Sequence, residues 1–362
     1  MNKNWLKYFI FSLCMLFSFV IGGVFTFTGL KVFDMILDNR VKIEKEVTVV
    51  DDGIAAAVEK VHDSVVVIES YRDSYLIGTG TGFIYNKKGD QYYIVTNYHV
   101  VDGANIVKMV LTNNMEVDLN IVNSDQLSDI AVLSYKTDKD LSIVQLGESV
   151  GANVGDTVFA IGAPLDSSVY SWSVTRGILS GKDREVRVAF KDSTKEWIMN
   201  VLQTDAAINS GNSGGPLCNS NGEVIGITNM KLVNSGVEGM GFAIPIEEAQ
   251  TVIDSLIAGE EIVRPYIGVY MIDASDNYNK SFYNLPADAY GAIVSSVEKN
   301  SPGEKGGLQT NDVIIAVNDR KVVDIASFRY ELYRHDIGST INLKILRNNK
   351  EMELKIVLEK TE

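Results

Sequence analysis

Between Ser64 and Ile246 the sequence keeps returning to one pattern: short runs of Val, Ile, Tyr, Phe and Thr, each interrupted by Gly, Asn or Asp. Val65-Val-Val-Ile68, Gly82-Phe-Ile-Tyr85, Tyr92-Tyr-Ile-Val-Thr96, Ile130-Ala-Val-Leu133, Thr157-Val-Phe-Ala-Ile161 and Val224-Ile-Gly-Ile227 are such runs. They are too short for helices, and their branched and aromatic side chains suit a pleated surface. Many short strands with turn residues between them predict a mainly β fold, a barrel or a sandwich. A stretch of about 180 residues exceeds one small barrel and fits two.

The remainder of the 362 residues divides around this region. Ile246 to Ile262 reads as a connecting helix, with Ile253, Leu256 and Ile257 on one face and Gly259 as its stop. From Arg264 a compact α+β module is expected. Its strands are Tyr266–Tyr270, Ala292–Val294, Val313–Val317, Thr340–Arg347 and Glu351–Leu358, with a helix around Ala326–Arg334. Asp51 to His62 has helical spacing, and residues 31–50 read as a mixed-charge stalk. Tyr8 to Leu30 carries no charged residue and is long enough to cross a bilayer, with Trp5, Tyr8 and Phe9 placed as an interfacial belt. No small-x-small cleavage site follows it, so an uncleaved single-pass transmembrane anchor is expected over 8–30, behind a cytoplasmic tail of residues 1–7. Basic residues flank the span on both sides, so charge alone leaves its orientation open.

Asp and Glu outnumber Lys and Arg by 47 to 33, a formal net charge of −14. Phosphate backbones need a basic face, so nucleic acid is excluded as a partner. Three histidines and two cysteines are scattered without metal-ligand spacing, and neither a metal nor a cofactor is expected. Cys14 lies in the anchor and cannot pair with Cys218, which is expected as a small buried apolar residue. Chemistry then falls to ordinary side chains.

Ser213 stands in Gly211-Asn-Ser-Gly-Gly-Pro-Leu217. Glycines around a serine allow the sharp turn and close backbone approach that an exposed nucleophile requires, and the amides of Gly211 and Ser213 can both face a developing oxyanion. A hydroxyl needs a base. His99, in Thr96-Asn-Tyr-His-Val-Val101, follows a strand; Asp129, in Ser128-Asp-Ile-Ala-Val-Leu133, precedes one. The order His99, Asp129, Ser213 is one of the three known orders for a catalytic triad. The same serine fits a Gly-x-Ser-x-Gly elbow, but that arrangement needs a histidine after the serine, and only His335, in the C-terminal module, follows it.

These strings, with Thr79-Gly-Thr-Gly-Phe83, Ser173-Val-Thr-Arg-Gly-Ile178, Gln203-Thr-Asp-Ala-Ala-Ile-Asn209 and Gly241-Phe-Ala-Ile-Pro245, make residues 51–246 similar to the HtrA/Deg family of trypsin-like serine proteases, in particular its membrane-anchored bacterial members. The resemblance implies a chymotrypsin-like double β-barrel over 51–258, with the active site between the barrels. It implies His99 as general base, Asp129 as its orienter, Ser213 as nucleophile, and the Gly211 and Ser213 amides as oxyanion hole. It also places a sensor loop at Ser173–Arg184 and a specificity loop at Thr228–Met240. Ser210 and Asp63 stand where this family usually has proline. Ala207, Ile208 and Asn209 would floor the primary specificity pocket; with no carboxylate among them, cleavage after small or medium aliphatic residues is expected rather than after Lys or Arg.

Residues 264–362 resemble a PDZ domain through Tyr266-Ile-Gly-Val269, Ser301-Pro-Gly-Glu-Lys-Gly-Gly-Leu308 and Asn311-Asp-Val-Ile314. The resemblance implies that Tyr266, Ile267, Gly268 and Val269 form a loop receiving a peptide C-terminus, beside a helix carrying Phe328, Leu332 and Tyr333. The expected whole is a membrane-anchored, ATP-independent serine endopeptidase with its catalytic and PDZ domains outside the cytoplasm. It would degrade unfolded or misfolded proteins in protein quality control, as a homotrimer. The alternative is a peptide-binding chaperone that holds unfolded segments with little or no cleavage. His62 and His335 are expected at exposed helix ends.

Overall fold

The computed structural model describes residues 3–38, 53–113, 115–162, 172–189, 196–209, 211–229 and 239–360. The chain divides into two units, Met1–Asp51 and Asp52–Glu362. The first contains one helix, α1 (Lys3–Asp38), along which the described apolar side chains, among them Tyr8, Phe11, Leu16 and Phe19, are exposed. Among the described residues no helix is long and apolar enough to cross a membrane. The anchor expected over 8–30 falls within α1. Of the expected stalk, residues 31–38 continue the helix and 39–50 lie outside the described residues.

The second unit opens with α2 (Ile54–His62) and six strands: β1 (Val65–Arg72), β2 (Tyr75–Lys88), β3 (Gln91–Thr96), β4 (Ile106–Val110), β5 (Glu116–Asp125) and β6 (Ile130–Lys136). They close into a barrel in the order β1-β2-β3-β6-β5-β4. Alternating side chains fill its interior, where Val66, Ile68, Ile84, Ile94, Met109 and Leu133 are buried together. Burying each such side chain contributes roughly 1.5–3 kcal/mol. Between β3 and β6 in sequence the chain makes a single helical turn, α3 (Tyr98–Val101).

The second half repeats the architecture. Its strands are β7 (Gln145–Leu146), β8 (Thr157–Gly162), β9 (Ser173–Ala189), β10 (Glu196–Thr204), β11 (Pro216–Asn219), β12 (Glu223–Thr228) and β13 (Gly241–Pro245). The sheet runs β11-β8-β9-β10-β13-β12-β7, and a β11–β12 pairing closes six of these strands on themselves. Cys218 is fully buried between the barrels with Phe159, Ile161 and Ile227, and burial pushes its thiol well above the usual range. The expected sensor loop at Ser173–Arg184 is instead strand, because Ser173–Ile178 pair with β8 and Leu179–Arg184 with β10. The expected connector is helix α4 (Ile246–Ala258), four residues shorter than its apolar pattern; Gly259 ends it in the left-handed conformation, φ 72°.

The C-terminal module comprises β14 (Pro265–Tyr266), β15 (Val269–Asp273), α5 (Asn277–Phe282), β16 (Ala292–Val297), α6 (Pro302–Lys305), β17 (Val313–Val317), β18 (Arg320–Lys321), α7 (Ile325–Leu332), β19 (Thr340–Arg347), β20 (Lys350–Val357) and β21 (Glu359–Lys360). Its main sheet runs β15-β16-β17-β19-β20. The single strand expected over Tyr266–Tyr270 is broken in two. Gly268 has φ 70°, and a Cβ there would collide with Ser301. His62 and His335 are half-buried rather than exposed: His62 packs edge-on against Trp172, and His335 Nε2 lies 3.2 Å from Asn318 Nδ2.

Candidate active site

Ser213 sits in the turn between β10 and β11, 5 % exposed. Gly211 and Gly214, on either side of the Asn212–Ser213 pair, have φ 108° and 83°, a region side chains avoid. The turn is tied to both barrels. From the first, the Thr81 amide donates to the Ser213 carbonyl (2.9 Å) and the Thr81 hydroxyl to the Gly211 carbonyl (2.5 Å). From the second, the Gly214 amide donates to Thr228 O (2.9 Å), and the Thr228 hydroxyl donates to Asn212 O (2.6 Å). A Cβ on Gly214 would collide with Thr81 O and Thr96 Oγ1, so this approach admits only glycine. That approach also sets the Ser213 turn against Thr96 and Asn97, two and three residues before His99.

His99 lies on α3, immediately after the strand that brings it to the edge of the first barrel. Asp129 occupies the turn between β5 and β6, 4 % exposed. Its Oδ1 accepts the His99 amide (2.9 Å), and its Oδ2 lies 2.7 Å from His99 Nδ1. A third donor, Asn229 Nδ2, reaches the same Oδ2 at 2.8 Å. An ionised carboxylate only accepts, so Nδ1 carries the proton and Nε2 is left as an acceptor. Asp129 adopts φ 56°, unusual for a residue with a side chain. Its carbonyl is gripped by the Tyr98 amide and by Asn97 Nδ2, each at 3.0 Å, which holds that backbone in place.

Thr81, Asn97 and Asn229 were not singled out from the sequence. Asn229 follows the apolar strand Glu223–Thr228, where a polar residue is an ordinary strand end, and no local signal links it to Asp129. The expected pocket floor is only partly realised. Ala207 O accepts from Thr175 Oγ1 (2.9 Å) and Asn212 Nδ2 (3.1 Å), but Ile208 is buried among Leu179, Leu202 and Leu217 in the second barrel. Asp205, the nearest preceding acid, gives its carboxylate to the Ile178 amide (2.7 Å). Ser210 and residues 230–238 of the expected specificity loop lie outside the described residues.

In the C-terminal module the loop Tyr266–Val269 is tied down by its carbonyls: Gly303 N donates to Ile267 O (2.7 Å) and Glu298 N to Gly268 O (2.9 Å), while the Tyr266 hydroxyl bonds the Glu298 carboxylate. β15, which follows the loop, is the edge of its sheet, an arrangement that accepts an added strand. Ile267, Phe328 and Leu332 share one core, with Val269 and Met271 against it. Tyr333 packs against that core and also meets Trp197 of β10, ring centroids 5.3 Å apart and planes tilted by 43°. Where this module begins, Arg264 grips Asp125 of the first barrel with two bonds, 3.0 and 2.7 Å. Burial pushes the Asp125 carboxyl up, but the Arg264 and Ser128 bonds outweigh it and hold it below its ordinary value.

Residues 80–227 match the trypsin-like peptidase domain, and residues 265–358 match the PDZ domain. The chain is 42 % identical over 291 residues to the serine protease Do-like HtrA of Bacillus subtilis, aligning 79 % of this chain with 64 % of that relative's length. It is 41 % identical to HtrB of the same organism, over 85 % of this chain and 71 % of the relative. It is 30 % identical to HtrA of Lactococcus lactis subsp. cremoris, over 96 % and 95 %. Among solved structures, the HtrA-type protease AlgW with a decapeptide superposes with a TM-score of 0.63 at 27 % identity, covering 85 % of this chain and 99 % of that one. A serine endoprotease from Yersinia pestis gives 0.62 at 29 %, covering 85 % and 98 %.

Proposed function

Because this chain belongs to the HtrA family of trypsin-like serine proteases, with one PDZ domain after the peptidase domain, we propose that it is an ATP-independent endopeptidase acting on unfolded or misfolded proteins through His99, Asp129 and Ser213. The observation that carries this reading is the Asp129 carboxylate, which engages both the amide and Nδ1 of His99. That grip fixes the ring and its tautomer. His99 Nε2 takes the proton from Ser213 Oγ as the oxygen attacks the scissile carbonyl. The negative charge that develops on the carbonyl oxygen is met by the amides of Gly211 and Ser213. His99 then gives its proton to the departing amine, leaving an acyl-enzyme. Water enters, loses a proton to His99 and releases the acid, restoring Ser213.

A cleft of this kind takes extended chain, so substrates are locally unfolded segments cut after small or medium aliphatic residues. Peptide C-termini bind the Tyr266–Val269 loop and add to the open edge of β15. Solved complexes of AlgW with a decapeptide support that role. The catalytic and PDZ domains stand outside the cytoplasm, held by the uncharged run Tyr8–Leu30, and the protein works as a homotrimer in protein quality control. The exposed apolar side chains of α1 support the anchor; trimer assembly rests on family membership.

Casein turnover tests the reading. The full chain is expected to degrade casein without ATP, and Ser213→Ala to bind it without cutting. Equal turnover by both proteins would dismiss Ser213 as nucleophile. Binding without cleavage by both would instead favour a peptide-holding chaperone.

A further inference from the structure

Asn97 stands between β3 and α3, the single turn that carries His99, and is fully buried. It occupies the cap position of that turn with extended backbone, φ −75° and ψ 148°. An asparagine there ordinarily turns its side-chain oxygen onto the second or third amide of the helix. Those amides belong to His99 and Val100, and neither bonds the Asn97 side chain. The His99 amide donates to Asp129 Oδ1 (2.9 Å), and the Val100 amide donates to the Asn97 backbone carbonyl (3.2 Å). A carboxylate oxygen of Asp129 has taken the place of the cap.

Asn97 Oδ1 is left buried with no hydrogen-bond partner among the described residues. Such an atom destabilises the folded chain. Turning the amide over would not relieve it, because the oxygen would then face the Asp129 carbonyl, acceptor against acceptor. In the orientation present, Nδ2 donates to that carbonyl (3.0 Å), which also accepts the Tyr98 amide (3.0 Å). The residue so held, Asp129, has φ 56°, a backbone conformation that side chains disfavour. Asn97 also lies against the nucleophile turn, since a Cβ on Gly214 would come within 2.8 Å of its backbone N. An oxygen orphaned so that one donor can hold one carbonyl is explained by what that carbonyl positions.

We propose that Asn97 is a positioning residue for the cleavage reaction. It leaves the His99 amide to Asp129 and holds the Asp129 carbonyl through Nδ2. It thereby fixes the left-handed backbone from which one carboxylate oxygen bonds the His99 amide and the other bonds Nδ1. Asn97 itself touches no reacting atom. The inference rests on the protease reading of Ser213 and His99.

The test uses the full chain in detergent and an internally quenched peptide, with rates taken per active site counted by exhaustive fluorophosphonate labelling. Asn97→Leu keeps the size of the side chain and removes both its donor and its orphaned oxygen. It is expected to lower kcat about tenfold, with KM within about twofold of wild type. The acidic limb of its kcat/KM profile should move to lower pH, because a carboxylate held less well supports the imidazolium less. Asn97→Ser offers a hydroxyl that can cap the His99 amide but is too short to hold the Asp129 carbonyl. It should show the same loss and the same shift, and it provides a second reading should the leucine variant fold poorly. Unchanged kcat in both variants overturns the proposal. So does a rise in KM alone, which would give Asn97 a part in substrate binding. A lower kcat with an unmoved acidic limb overturns it as well, because the loss would then run through the nucleophile turn rather than Asp129. If wild type cuts the peptide no faster than Ser213→Ala, the protease reading itself fails; if wild type cuts and both variants match it, only the role of Asn97 fails.

Discussion

Asp129 accepts three donors on two oxygens, and one of them, Asn229, comes from the second barrel while His99 and Asp129 belong to the first. Asn229 touches no reacting atom in the proposed mechanism; it positions the carboxylate that positions His99. Removing one hydrogen bond to a buried carboxylate costs about 1–3 kcal/mol. If about half of that is felt in the transition state, Asn229→Ala should lower kcat by about two- to tenfold with KM little changed. Asn229→Asp should cost more, because it sets a second carboxylate against Asp129. Steady-state kinetics on a quenched peptide decide this, and a variant that raises KM alone would show that Asn229 shapes substrate binding instead. The residues carrying this site were unevenly legible. Ser213, His99 and Asp129 stand in strings whose glycines and flanking strands announce them. Asn229 and Asn97 do not, because their partners are distant in sequence and brought near only by barrel closure.

At the scale of elements, the strands of both barrels could be read from the β-branched runs, since a half-buried pleat demands that composition. Breaks within a run were harder. Tyr266–Tyr270 reads as one strand, yet Gly268 turns the chain at φ 70° and breaks it in two. Gly268→Ala meets both a strained φ and the Ser301 side chain. It is expected to destabilise the C-terminal module by more than about 1 kcal/mol and to weaken peptide binding. A calorimetric melt would show a lowered transition; a Tm equal to wild type would mean that Ser301 and the loop relax without cost. For Ser173–Arg184 the family resemblance implied a loop, whereas the segment pairs with β8 and β10 as part of β9.

Across the whole molecule, the contacts between the two modules of the second unit include the Arg264–Asp125 and Arg187–Asp324 ion pairs and the tilted Trp197–Tyr333 ring pair. None was legible in the sequence, because each joins surfaces that belong to separately folded cores. The Asp125 pair has a pH signature. Its folded carboxyl is held below the ordinary 3.8, so the stabilisation is fully present above that value and is lost as the pH falls through the lower folded value. Asp125→Asn should therefore cost about 1–2 kcal/mol at pH 7, with the difference from wild type shrinking below about pH 4. Denaturant unfolding at both pH values checks it; a difference independent of pH would assign the loss to packing rather than charge.

The central claim is that Ser213 is a nucleophile activated by His99. A fluorophosphonate that reacts only with activated serines, followed by peptide mapping of the full chain, tests it most directly. The account predicts one adduct per chain, on Ser213, formed by wild type and abolished in His99→Ala. Adduct on another serine, or undiminished labelling of Ser213 without His99, would contradict it.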